Sequence, residues 1–91
     1  MNNQRRKSIE NLTEQLRDIN GKLEDIKSEF ETVRDEEQEY LDNMPESLQG
    51  GDKGSAAEEA ISNLDDVINS IESGISEIET AIDNAENSTS N

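Results

Sequence analysis

Carboxylates are the one chemically capable group this sequence supplies in quantity: 23 Asp and Glu stand against 8 Lys and Arg, with no His and no Cys. Without imidazole or thiol, the commonest acid–base and nucleophilic groups are missing. Carboxylates alone hold metals only in particular arrangements. A di-metal helical bundle combines inward-facing Glu with a Glu-x-x-His motif, which a His-free chain cannot supply. No segment has the spacing of a calcium loop between two helices. The stretch "GGDKG" at 50–54 has neither the spacing nor the preceding strand of a phosphate-binding loop. The residues therefore point away from catalysis, cofactors and metals, and toward a chain that acts through its surface.

That surface is very acidic. The formal net charge is -15, and it is unevenly spread: residues 1–53 hold 14 acidic and 8 basic side chains, residues 54–91 hold 9 acidic and none basic. Nucleic acid and anionic membranes would repel such a chain, so neither is expected as a direct partner. Carboxylates on a rigid helix can, however, stand in for phosphates. Neighbours at i and i+4 lie about 5–6 Å apart, and a basic groove built for a nucleic-acid backbone would accept them with release of counterions. Glu58, Asp65, Asp66, Glu72, Glu77, Glu79 and Asp83 are the residues expected to present this face to a basic protein. The plainer reading is a solvated face that only keeps the chain soluble. Arg5, Arg6 and Lys7 form the one basic cluster, with Arg17 further along. In an oligomer these four could line an anion pocket, so an oligomeric sponge for an anionic nucleotide signal is the alternative function.

The elements that must position these charges are written in heptads. Ile9, Leu12, Leu16, Ile19, Leu23, Ile26, Phe30 and Val33 alternate spacings of three and four without error. With Ile9 as position a, Glu37 falls at a, Tyr40 at d and Met44 at a. A second run, Ala57, Ile61, Leu64, Ile68, Ile71, Ile75, Ile78, Ile82 and Ala85, keeps the same alternation. With 29% hydrophobic residues and two aromatics, composition alone would indicate disorder; the heptads overrule it. The spacing predicts helices over about 5–43 and 55–86, a turn over about 44–54 and a frayed tail at 87–91. Ser55 and Glu58 have the spacing of a capping box at the second helix start.

A short turn favours an antiparallel hairpin, and the charges agree. In antiparallel pairs e faces e. Folding back near residue 49 or 50 brings Arg34 to Asp65 and Lys27 to Glu72, which sets register more than stability. On the g side of the second helix, Ala60, Val67, Gly74 and Ala81 are small or apolar, while the first helix offers Gln15, Lys22, Glu29 and Glu36. The apolar face is wider than one neighbour requires. An isolated two-helix hairpin also buries little. The expected fold is therefore all-α, an antiparallel two-helix hairpin closing into a homodimeric four-helix bundle. The alternatives are a lone hairpin with a partly wet seam, or a structural, scaffolding coiled coil.

At the bend, "DEEQEYLDNMPESLQGG" at 35–51 does more than reverse the chain. Pro45 stops the first helix near Asp42 or Asn43 and can open a short helical turn at its first position. Tyr40, Met44, Pro45, Glu46 and Leu48 gather apolar side chains at the tip of a charged rod. They would cap the seam or dock on a partner.

The segments "RDEEQEYLDNMPESLQ" (34–49) and "AAEEAISNLDDVINSIE" (56–72) resemble a group of small helical proteins of bacteriophages and mobile elements, chiefly of Gram-positive bacteria. The resemblance covers nearly the whole chain, and Asn-Met-Pro-Glu-Ser is its most specific part. "GGDKG" departs from the usual linker, which puts little in doubt. The group has no established activity, so no site is carried over. What the resemblance implies is a context, in which small phage proteins bind and disable a host or defence protein. A cytoplasmic location is expected, because the chain has no Cys, no run of about 18 apolar residues and no apolar stretch behind its basic start.

Overall fold

The computed structural model describes residues 1–90. Three helices follow one another: α1 Asn3–Asp42, a single turn α2 Glu46–Gln49, and α3 Asp52–Thr89. The two long helices lie against each other as a rod with principal extents of 69 × 14 × 14 Å. A 40-residue helix is about 60 Å long, so α1 alone accounts for most of that length. Arg34 Nε donates to Asp65 Oδ1 at 2.9 Å, and Lys27 Nζ lies 2.9 Å from Glu72 Oε1. Seven residues back along α1 is thus seven residues forward along α3, as an antiparallel hairpin requires.

The helix ends differ from the sequence reading in four places. The first helix begins at Asn3, two residues early, because the Asn2 side chain accepts the Arg5 amide N–H at 2.8 Å and so caps it. Pro45 is the N-cap of α2, at φ -55° and ψ 143°, and not its first helical residue. The Ser55 capping box does not start α3. That helix starts at Asp52 with Gly51 as N-cap, and the Ser55 amide already donates to Gly51 O at 2.9 Å. At the other end, 87–89 are helical and not frayed. Hydroxyls of Ser88, Thr89 and Ser90 donate to the carbonyls of Ala85, Glu86 and Asn87, supplying partners that a helix C-terminus otherwise lacks. Asn91, the last residue of the expected tail, lies outside the described residues.

The core is thin. Met44, Ala57, Ile61 and Ile75 are its buried hydrophobic residues, joined by Thr13. The larger correction concerns which stripe of α1 forms the seam. On α3 the a and d rows face inward, as the heptads predict. On α1 the inward rows are a and e: Ile9, Leu16, Leu23, Phe30, Glu37 and Met44, alternating with Thr13, Asn20, Lys27, Arg34 and Leu41, are all buried or half-buried. The d row faces out. Leu12, Ile19, Ile26, Val33 and Tyr40 are 41–59% exposed.

The physical reason lies in the residues flanking row a. The e row offers Thr13, Asn20 and Leu41, which pack, and the aliphatic stems of Lys27 and Arg34, whose charged ends reach acids at the seam edge. Thr13 Oγ1 satisfies itself on Ile9 O at 2.7 Å, and Asn20 Nδ2 donates to Ile75 O at 3.4 Å. Turning d inward instead would draw the g row, with Glu29 and Glu36, toward the seam.

Candidate functional site: an acidic arc and an apolar stripe

On α3 a step of 100° per residue puts rows e, b, f and c on an arc of roughly 160° that runs from the seam edge at e round the outer face of the helix. Glu58 and Glu79 stand at e, Asp83 at b, Asp66 at f and Glu77 at c, and all five are exposed. Glu59, also at f and exposed, belongs with them. Sequence reading passed over it, although its heptad position was available. From Glu58 to Asp83 the arc runs about 38 Å along the helix.

The other two expected members of the face are engaged. Asp65 and Glu72 accept from Arg34 and Lys27 at the seam edge. Glu86 is likewise paired with Arg17. These contacts raise the pKa of each cation: Arg17 chiefly through its hydrogen bond with Glu14, Lys27 through Glu72, and Arg34 through Asp65. Three of the four cations in the middle of α1 thereby spend their charge on carboxylates. Among the described residues, no salt bridge reaches Glu58, Glu59, Asp66, Glu77, Glu79 or Asp83.

The anion pocket around Arg5, Arg6, Lys7 and Arg17 is an expectation for an oligomer; within the single hairpin Arg17 is paired with Glu14 and Glu86. Arg17 lines a cleft at the open end of the rod with Ile9, Thr13 and Thr89, but Glu10, Glu14 and Glu86 line it too. Three carboxylates around one guanidinium repel an anion. Arg5 and Lys7 are exposed on the first turns of α1, and Arg6 is half-buried.

No protein-family model, no curated protein and no solved structure matches this chain. Its residues alone carry the functional argument.

At the closed end, the expected tip cluster divides. Met44 is 8% exposed and plugs the seam, with Leu41 half-buried beside it in the sequence. Tyr40 and Leu48 remain 51% and 46% exposed, and Pro45 and Glu46 are exposed as well. The residue that organises the bend is Gln49, which sequence reading did not single out. Its Nε2 donates to Leu41 O at 3.2 Å and Met44 O at 2.9 Å, and those carbonyls lie at or just past the C-terminal end of α1. Gly54 completes the turn: a Cβ built there would lie 1.8 Å from Gln49 O.

The expected self-association row sits at the margin of the seam. Ala60, Val67 and Gly74 are half-buried and Ala81 is exposed. Val67 and Gly74 line a shallow apolar groove with Leu23 and Ile71, rimmed by Asp66 and Ser70. Ile26, Phe30 and Val33 line another with Glu29. Groove and exposed d row share one side of the rod; the acidic arc occupies the outer face of α3. Among the described residues, no helix is long and apolar enough to cross a membrane, and no group of acids is placed to hold a metal ion.

Proposed function

We propose that this chain is a non-enzymatic acidic interaction protein, a homodimeric helical bundle whose α3 faces occupy a basic, nucleic-acid-binding groove on another protein. The observation that carries the reading is the separation of charge. Lys27, Arg34 and Arg17 are bound to carboxylates, while six carboxylates on the α3 arc have no cation against them among the described residues. A solubilising surface needs no such sorting, since interspersed charges keep a protein soluble equally well. A phosphate mimic does need it, because each cation left on the arc would meet a cation in the groove. In the phage context implied by the sequence resemblance, the partner is a host or defence protein of the bacterial cytoplasm and the outcome is inhibition.

The test is displacement of a labelled oligonucleotide from a panel of basic nucleic-acid-binding proteins. Displacement that weakens steeply between about 50 and 200 mM salt is expected. No displacement from any member at low salt would overturn the reading. The exposed d row of α1 favours a second reading, a scaffolding coiled coil, and growth into ever larger assemblies with concentration would mark it.

A further inference from the structure

We infer that the exposed d row of α1 is the dimer interface, and that its occupant is the α1 of a second copy running antiparallel, with the two-fold axis passing at Ile26. This deepens the dimer proposed above and moves the contact from the small residues of α3 to the large ones of α1. Three observations support it.

The first is area. The hairpin exposes 6495 Å², whereas a compact monomer of 10.1 kDa exposes roughly 5,300 Å². The excess, roughly 1,200 Å², exceeds the ~800 Å² per partner that a standard interface covers. The second is the character of the stripe. Leu12, Ile19, Ile26, Val33 and Tyr40 recur every seven residues along about eight turns of one face, each at least 41% exposed. The heptads of α1 thus contain two seams, one used within the chain and one left open.

The third is charge. The stripe is symmetric about Ile26, so an antiparallel copy sets Leu12 against Tyr40, Ile19 against Val33 and Ile26 against itself. The same register brings Lys22 to the partner's Glu29 on both sides of the axis. Lys22 and Glu29 both flank the stripe at g, and neither forms a salt bridge within the hairpin among the described residues. In a parallel copy the two g rows would lie on opposite sides of the seam, so Lys22 and Glu29 would form no such pair. Opposite charges across the interface select the antiparallel arrangement.

The chain has no Cys, so single cysteines report the geometry directly. Under mild oxidation Ile26→Cys should form a disulfide-linked dimer. Leu12→Cys should not cross-link to itself, but should cross-link when mixed with Tyr40→Cys. In sedimentation equilibrium the wild type should weigh twice the 10.1 kDa chain mass. Lys22→Glu should weaken association at least tenfold, and Lys22→Glu with Glu29→Lys should recover most of it. A Leu12→Cys homodimer would overturn the antiparallel axis, and a wild-type monomer at millimolar concentration would overturn the interface. Failure of oligonucleotide displacement leaves the cross-linking pattern unaffected, so this inference and the functional proposal fail separately.

Discussion

Arg34 and Asp65 meet at 2.9 Å across the seam of the hairpin, edge to edge between two e positions. With Lys27 and Glu72 one heptad away, they fix how α3 is threaded against α1. Reversing one charge, Arg34→Glu, should lower the thermal midpoint, and Arg34→Glu with Asp65→Arg should recover most of the loss. A double variant no better than the single one would mean that packing alone sets the register.

The glycines separate cleanly by what surrounds them. A Cβ on Gly21 meets nothing within 4 Å, whereas one on Gly54 would strike the Gln49 backbone. Gly21→Ala should therefore stabilise the protein by about 1 kcal/mol, the difference in helix propensity. Gly54→Ala should cost about 1–3 kcal/mol through overpacking. Denaturant midpoints measure both.

Gln49 is expected to matter to the bend more than any exposed apolar residue beside it. Gln49→Ala should cost about 1–2 kcal/mol by losing two hydrogen bonds to backbone carbonyls. Gln49→Glu should cost more, because a carboxylate cannot donate and adds negative charge at the negative end of α1. Leu48→Ala, at an exposed position, should change stability little.

Lys27 gives the hairpin an alkaline limit. Its pKa is raised above 10.5, first by its hydrogen bond with Glu72. A raised folded-state pKa means that the folded state holds the proton more tightly than the unfolded one. The stabilisation is fully present below pH 10.5 and is lost as pH rises through the folded value. Stability curves from pH 9 to 12 should fall less for Lys27→Met than for the wild type. Equal slopes would show that the Lys27–Glu72 pair contributes nothing.

The hairpin, its register and its two long helices are legible in the heptads and in four charged residues. The open stripe is not, and the reason is specific. Strict three–four spacing marks a and d as apolar but does not say which neighbour of row a turns inward. Comparing the flanks decides it: Thr13, Asn20 and Leu41 at e pack where Glu29 and Glu36 at g would not. The start of α3 differs because Ser55 and Glu58 have capping-box spacing, while Gly54 lets the backbone of α3 begin a turn earlier against Gln49. Of the acidic face, the sequence shows the positions and, through the Arg34–Asp65 and Lys27–Glu72 pairing, that two of the expected carboxylates are engaged at the seam. That depends on register, which brings Asp65 and Glu72 to the seam edge and leaves Glu59 outside with the others.

The most direct test of the account replaces the arc and nothing else. Glu58→Gln, Glu59→Gln, Asp66→Asn, Glu77→Gln, Glu79→Gln and Asp83→Asn remove six exposed charges that hold no salt bridge in the hairpin. The measurement is oligonucleotide displacement from a basic nucleic-acid-binding protein, titrated against salt for wild type and variant. The account predicts that the variant keeps its helicity and its mass, loses displacement at least a hundredfold, and loses most of the salt dependence. Displacement unchanged by the six substitutions would contradict it.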